Sequence, residues 1–212
     1  MTHSLHRRGN HDTLADDFVI LSMSAKGFNE EGSGEKLRQF LDILLDNGPD
    51  NFGDMQTGNR FVHSEDEIKM NVQDTSIIHG VFNGPAAMTR VLKELKERDL
   101  GISVVVSGIH ESTERCCRDA GLKKHTVEHS MGIFGRVDRL PGDEYLELTT
   151  MCGHGMVPAN LIEQVIWDIK KGKKSCEEAG RELAKPCHCG IFNPVRAAKL
   201  LQRLAPKVTF VE

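Results

Sequence analysis

Sulfur and imidazole side chains concentrate in two short, glycine-rich stretches, Cys152-Gly153-His154-Gly155 and Cys187-His188-Cys189-Gly190. In an extended chain, side chains two residues apart point the same way. Cys187 and Cys189 are therefore expected to face one side while His188 faces away, and Cys152 is expected to lie beside His154. Three thiols and one imidazole then form one candidate site.

This set of side chains is suited to binding a metal. Zinc takes four nitrogen or sulfur ligands tetrahedrally, and iron–sulfur clusters take Cys thiolates with His as a known substitute. The predicted cofactor is therefore an iron–sulfur cluster or zinc, in a protein with a redox or small-molecule enzymatic role. The C-x-H and C-x-C spacings match no standard ferredoxin or zinc-ribbon pattern. The predicted metal ligands are Cys152, His154, Cys187 and Cys189.

Other interpretations of the same thiols remain open. Cys152 is predicted to precede a helix N-terminus, whose partial positive charge favours a thiolate, so it is also a candidate nucleophile with His154 or His110 as its base. Buried cysteines also pack as small hydrophobes, and a structural zinc would make the chain a non-catalytic binding module. Cys176 is excluded because a predicted helix about 15 Å long separates it from Cys187.

Runs rich in Val and Ile alternate with helical patterns along the chain, which is typical of β-α-β units with parallel strands. The run 102–106 is so continuously apolar that it predicts a central strand buried on both faces. The fold class predicted is a three-layer α/β domain with a mostly parallel sheet of about five strands. These strands are predicted within residues 18–23, 76–82, 102–106, 126–134 and 145–150.

In a parallel sheet, the loops at the carboxyl ends of the strands share one edge, and ligands bind there. His110 follows the third predicted strand and is a candidate for acid–base work, because histidine titrates near neutral pH. The loop after the second strand opens onto the same edge. The positions predicted to contact the cofactor are Asn83, Gly84, Gly153 and Gly155.

The C-terminal part of the chain is predicted to be helical. Pro158 opens one helix, the capping box from Ser175 to Glu178 opens the next, and Asn193 begins a last one. The first two should form an antiparallel hairpin, which returns the chain to its starting point and brings the two Cys/His stretches together. Three parts are predicted: a flexible tail (1–16), an α/β domain (17–150) and a helical segment packed on the same domain (151–212).

The composition excludes several classes of function. The 212 residues have a net charge of -4 with one Trp and one Tyr, so neither a basic surface nor stacking aromatics for nucleic acid are expected. No apolar run approaches the roughly 20 residues of a membrane span, which favours a cytoplasmic protein without membrane contact. Six cysteines in an intracellular chain of this length indicate free thiols or metal ligands.

Two further stretches bear on function. The glycine-rich loop 27–34 lacks both the Walker and the dinucleotide-binding patterns, so no nucleotide cofactor is predicted. Residues 49–75 are polar and dotted with glycine, and they are predicted to form a long excursion or flap. The expected partners are a small-molecule substrate or an electron-transfer protein, and the sequence is compatible with an oligomer.

Overall fold

A single five-stranded sheet runs through the centre of the molecule. The computed structural model describes residues 2–209. The strands lie side by side in the order β3-β2-β4-β1-β5. Their bounds are β1 (Asp17–Met23), β2 (Asn51–Asp54), β3 (Gly58–Asn59), β4 (Ile77–Asn83) and β5 (Ser103–Ser107).

Helices cover both faces of this sheet. Their bounds are α1 (His11–Leu14), α2 (Ser33–Asp46), α3 (Glu65–Met70), α4 (Pro85–Arg98), α5 (His110–Asp119), α6 (Asp143–Thr149), α7 (Ala159–Lys170), α8 (Cys176–Ala184) and α9 (Pro194–Leu204). Short 3-10 helices occupy Thr2–His6, Val137–Arg139 and Thr150–Cys152. The longest helices, α2 and α4, have 14 residues, and within the described residues no helix is long and apolar enough to cross a membrane.

The sheet is antiparallel throughout, so the prediction of a mostly parallel sheet is wrong. β1 pairs antiparallel with β4 and β5, and β2 pairs antiparallel with β3 and β4. The chain does contain two β-α-β crossovers, β1-α2-β2 and β4-α4-β5, and each joins strands that run the same way. The two units interleave, so that β4 lies between β1 and β2 while β1 lies between β4 and β5. This split β-α-β arrangement makes every neighbour antiparallel.

Two of the five predicted strands do not form. Residues 126–134 have no regular structure and are exposed, and residues 145–149 belong to α6. The alternation of apolar and polar side chains after Tyr145 resembles a strand, but Glu147 is buried together with Leu146 and Leu148. Because Glu147 is paired with a buried arginine, its polarity did not indicate a solvent-facing position.

Alternate residues of the strands pack into two separate apolar layers. Phe18 and Ile20 of β1 face the layer that holds α2, α4 and α5. Val19 of β1 and Val81 of β4 face the opposite layer, built from the C-terminal helices, and Cys152, Cys187 and Cys189 belong to that layer. Burial of each large apolar side chain contributes about 1.5–3 kcal/mol. Because the three cysteines belong to one of these layers, the candidate site is part of the core on one face of the sheet.

A buried ion cluster joins both ends of the chain to β1. Asp17 accepts hydrogen bonds from Arg7, from Arg196 Nη1 at 3.1 Å and from Asn193 Nδ2 at 2.8 Å. Arg196 Nη2 also lies 3.1 Å from Glu147 Oε2. Two arginines and two carboxylates balance in charge. This cluster holds the segment before β1, predicted to be a flexible tail, against α9.

The cluster controls the ionisation of Asp17. Burial tends to raise the pKa of this carboxyl, but the charges and hydrogen bonds of Arg7 and Arg196 outweigh burial and leave the pKa below its usual value. The ionised form is therefore stabilised in the folded protein. Its contribution to stability is present above the unfolded-state pKa of about 3.9 and is lost as the pH falls through the lower folded-state pKa.

Replacing Asp17 by Asn should lower the free energy of unfolding at neutral pH by about 3–5 kcal/mol, because it leaves two buried guanidinium groups without their shared carboxylate. Denaturant unfolding at pH 7 measures this. The variant should also lose less stability than the wild type when the pH is lowered to about 3, because one group with a depressed pKa is gone.

Asp46→Asn is the matched control, since Asp46 is exposed at the end of α2. It should leave both the neutral-pH stability and the acid sensitivity close to those of the wild type. Equal unfolding free energies for the Asp17 and Asp46 variants would contradict a structural role for the ion cluster.

Candidate functional site

The four side chains proposed from the sequence come together in the fold. Cys187 Sγ lies 4.0 Å from Cys189 Sγ, and Cys189 Sγ lies 3.8 Å from His154 Nδ1. Cys152 is hydrogen-bonded to Cys187. The three cysteines are fully buried, whereas His154 is exposed. The result is a buried group of three thiols with one imidazole at its solvent edge.

The helical hairpin of α7 and α8 places the two halves of the site. Cys152 ends the 3-10 turn after α6, and Cys187 follows α8 after a short turn at Pro186. The two helices pack against each other, so the chain after α8 returns to the residues before α7. Cys176 begins α8 and lies a helix length away from the group.

The segment 49–75 supports the site from the sheet side. Asn59, fully buried on β3, donates from Nδ2 to the carbonyl oxygens of Ala184, Lys185 and Cys187 at 3.4, 3.1 and 2.9 Å. A buried carbonyl left without a donor costs about 1–3 kcal/mol, so this one amide stabilises the whole turn before the C-x-C.

A second asparagine acts in the same way on the other side of the C-x-C. Asn51 of β2 is fully buried and donates to the Phe192 carbonyl at 2.8 Å. Sequence reasoning missed both asparagines, because Asn is usually exposed and the stretch around them has few apolar residues to mark strands. Residues 49–75 contain β2, β3 and α3, and part of this segment lies under the site.

Glycine allows the C-x-C loop to approach β2 very closely. Gly190 has φ +80°, and a Cβ built on it would lie 2.5 Å from the carbonyl carbon of Phe52 and 2.7 Å from the nitrogen of Gly53. A Cβ on Gly53 would in turn lie 3.1 Å from the Cys189 carbonyl oxygen. Neither backbone can withdraw without disturbing the sheet. This contact therefore sets the height of the cysteines above the strand.

Backbone amides point at all three sulfur atoms. Cys152 receives hydrogen bonds from the amides of His154 and Met156. Cys187 receives one from Phe192 and Cys189 one from Ile191. Amide donors of this kind favour the thiolate form and tune metal–sulfur centres.

The thiols differ strongly in their acidity. Its hydrogen bond to Cys187, together with burial, raises the pKa of Cys152. The hydrogen bond that Cys187 accepts from Cys152 lowers the pKa of Cys187. The hydrogen bond from Cys187 to Cys189, together with burial, has the larger combined effect and raises the pKa of Cys187 to about 12. Cys189, which accepts from Cys187, has a pKa below the usual value. These shifts oppose the role of thiolate nucleophile predicted for Cys152 in a metal-free protein.

The remaining predicted residues lie outside this group. His110 begins α5 on the surface, with its Nε2 3.0 Å from Lys124 Nζ and 3.6 Å from Glu114 Oε2. Asn83 binds Asp50 Oδ2 through its amide nitrogen and its side chain, at 2.9 and 2.8 Å. Gly84 caps α4 at φ +86°. β4 and β5 run the same way and end at one edge of the sheet, where Asn83 Nδ2 donates to Asn193 Oδ1 of the loop before α9 at 3.1 Å.

Gly153 and Gly155, by contrast, shape the loop that contains His154. They have φ values of +74° and +69°, in the left-handed region that favours glycine. Two such turns in succession allow the amides of His154 and Met156 to reach back to Cys152. Their role in the structure is to fold the loop around the first thiol.

The geometry of the group is close to that of a metal site without reaching it. In the described part of the chain, no three or more His, Cys, Asp and Glu side chains form a group that could hold a metal ion as they stand. Within the candidate group, the separations are 4.0 Å between the sulfurs of Cys187 and Cys189 and 3.8 Å between Cys189 Sγ and His154 Nδ1.

Gly190→Ala should lower the free energy of unfolding far more than Gly172→Ala. Both glycines have positive φ, +80° and +69°, so both substitutions incur the left-handed strain of about 1–2 kcal/mol. Only Gly190 would also press a methyl group into the backbone of Phe52, since nothing lies within 4 Å of a Cβ at Gly172. Denaturant unfolding of the two variants measures the difference, and equal losses would contradict the close approach.

Comparison of this chain with protein-family models, with curated proteins and with solved structures finds no match.

Proposed function

We propose that this protein binds a metal through Cys152, Cys187, Cys189 and His154, and that the bound centre serves a redox or small-molecule enzymatic role. The observation that carries the proposal is the meeting of three buried thiols and one imidazole from two separate stretches of chain. Cys189 Sγ lies 4.0 Å from Cys187 Sγ and 3.8 Å from His154 Nδ1, and Cys152 is buried in the same cluster beside Cys187.

These separations suit a single tetrahedral ion. Zinc–sulfur bonds of about 2.3 Å and zinc–nitrogen bonds of about 2.0–2.1 Å at tetrahedral angles imply sulfur–sulfur separations of about 3.8 Å and sulfur–nitrogen separations of about 3.6 Å. The two distances in this group are each longer by about 0.2 Å. Small rotations of the side chains would be enough to close around an ion.

The surroundings of the sulfurs also favour a metal. Apolar side chains would pack in this position as well as three thiols do, so packing alone gives no reason for cysteine here. Metal binding does give a reason, because it uses cysteines as thiolate ligands. The amides directed at each sulfur stabilise that form. Zinc is the first candidate because three sulfurs and one nitrogen around a single ion are a ligand set typical of structural and catalytic zinc.

An iron–sulfur cluster is the second candidate. Amide hydrogen bonds to the sulfurs and a partly open edge are features that set the reduction potential of such clusters. The exposed His154 would supply the ligand nearest to solvent, where an electron-transfer partner has access. In a [4Fe–4S] cluster each thiolate binds a different iron atom, so the sulfurs must lie farther apart than the 4.0 Å between Cys187 and Cys189. In a [2Fe–2S] cluster two ligands share each iron atom, and this separation is compatible with that arrangement.

The exposure of His154 bears on reactivity. Buried thiolates hold a metal firmly, while a ligand at the surface on a glycine-flanked loop exchanges more easily. A metal at this position would supply Lewis-acid or electron-transfer chemistry. The chain's own contribution is to keep three ligands buried on the sheet and to present the fourth position to a small molecule.

Protein purified without oxygen should contain about one zinc, or iron with sulfide, per chain, measured by elemental analysis together with the visible spectrum. Cys187→Ser and Cys189→Ser should each reduce the metal content severely, because each removes a buried ligand. Cys176→Ser is the matched control, since Cys176 is partly buried at the edge of the same apolar core but lies outside the group.

Stoichiometric zinc with a colourless protein would favour the mononuclear site, and broad visible absorbance with iron and sulfide would favour the cluster. Metal content that is absent, or that is equal in the Cys187, Cys189 and Cys176 variants, would contradict the proposal.

Removing the metal with a chelator should lower the thermal midpoint of unfolding, because the ion binds the folded state alone. Free metal at 100 times its dissociation constant should add about 2.7 kcal/mol to the free energy of unfolding. Titrating Zn²⁺ back into the stripped protein while recording thermal unfolding measures this. The Cys189→Ser variant should show little change, and a rise equal to that of the wild type would place the stabilising ion elsewhere.

A further inference from the structure

β5 is an edge strand, although its sequence is typical of a buried central one. It ends the strand order and pairs with β1 alone among the described residues. Ser103 is exposed, and Val104, Val105 and Val106 are partly exposed. The prediction of a central strand buried on both faces is therefore wrong within this single chain. Ser107, at the end of β5, is buried, and its hydroxyl is hydrogen-bonded to that of Ser4 at 2.7 Å. The remaining outer side of β5 carries the three partly exposed valines.

The two edges of the sheet are treated differently. β3, at the opposite edge, has only two residues, and its Asn59 is bound to the turn between Ala184 and Cys187. β5 has five residues in regular register with β1, without Lys, Pro or a bulge. Natural proteins usually protect an edge strand with a lysine, a proline or a bulge, because an open strand pairs with other chains.

An exposed apolar loop, residues 127–140, lies next to the end of β5. The His129 ring is 5.5 Å from the His110 ring, and His110 begins the helix that follows β5. Within the described chain, this loop holds six of the twelve exposed large hydrophobic side chains, with Met131 at 82% and Phe134 at 78% exposure. The six are Val127, Met131, Ile133, Phe134, Val137 and Leu140.

We propose that the protein forms a two-fold symmetric dimer in which the β5 strands of two copies pair antiparallel about Val105. The strand sequence Ser-Val-Val-Val-Ser reads the same in both directions. A two-fold axis at Val105 sets this residue opposite its own copy, Val104 opposite Val106, and Ser103 opposite Ser107. Two-fold interfaces require a surface that complements itself, and this strand does so without any like-charge pair.

The loop supplies the area that strand pairing lacks. A stable interface buries about 1,200–2,000 Å² in total, more than five residues a side provide. In an antiparallel pair, the end of β5 in one copy lies beside the start of β5 in the other. The loop next to that end would then cover the partner's edge with Met131, Phe134 and their neighbours. The dimer joins the two sheets into one of ten strands.

The mass in solution tests the proposal, measured by light scattering or sedimentation over a range of protein concentrations. The wild type should have twice the chain mass of 23.6 kDa. Val105→Lys should weaken the dimer at least about tenfold, because it sets two ammonium groups opposite each other at the axis. Val62→Lys is the matched control, since Val62 is 58% exposed and lies far along the chain from β5. It should remain dimeric.

A wild type that stays monomeric at all concentrations would overturn the proposal, as would a folded Val105→Lys variant that dimerises as strongly as Val62→Lys. Circular dichroism shows whether the variants are folded.

If Val105→Lys does not fold, Val105→Cys decides. Opposed residues of an antiparallel pair have Cα atoms about 4.5 or 5.5 Å apart, within the span of a disulfide. Oxidised glutathione should cross-link this variant into dimers on a non-reducing gel. The wild type and Val62→Cys should stay uncrosslinked, and equal cross-linking in all three would overturn the pairing at Val105.

Discussion

The contact on which the candidate site depends is the seating of the C-x-C loop on strand β2. Gly190 brings the loop backbone against Phe52 at a distance that admits no side chain, and the amides of Asn51 and Asn59 satisfy carbonyls on either side of it. Because the sheet cannot move away, the loop has one height and one orientation. Cys187 and Cys189 are then held inward, with the intervening His188 exposed.

The other half of the site reaches the same place through the helical hairpin. α7 and α8 are amphipathic helices whose apolar faces pack on the sheet, and their antiparallel arrangement returns the chain to the 3-10 turn that ends in Cys152. His154 then follows on a loop with two left-handed glycines. One half of the site is thus rigid because of the sheet, and the other meets it because of helix packing.

The two edge strands differ in how available they are for pairing with another chain. β3 is short and its polar side chain is used to anchor the C-x-C turn, which removes it as a template for pairing. β5 has a long, uncharged, apolar edge, and a valine-rich strand of this kind is more stable when it is paired. The proposed dimer interface therefore lies at the β5 edge of the sheet, and the candidate metal site lies near the β3 edge.

The sequence by itself determined the residue types and spacing of the site, the helices with clear start signals, and three of the strands. Pro158, the capping box at Ser175 and Asn193-Pro194 mark helices locally, because caps and proline act within one turn. Alternation within the C-x-C likewise separated His188 from its neighbours. Only the tertiary structure decided strand direction and order, since an apolar run has the same pattern whether its neighbour is parallel, antiparallel or another chain. It also decided the roles of Asn51, Asn59 and Glu147, because a polar residue becomes a core residue only when a distant part of the chain supplies its partner.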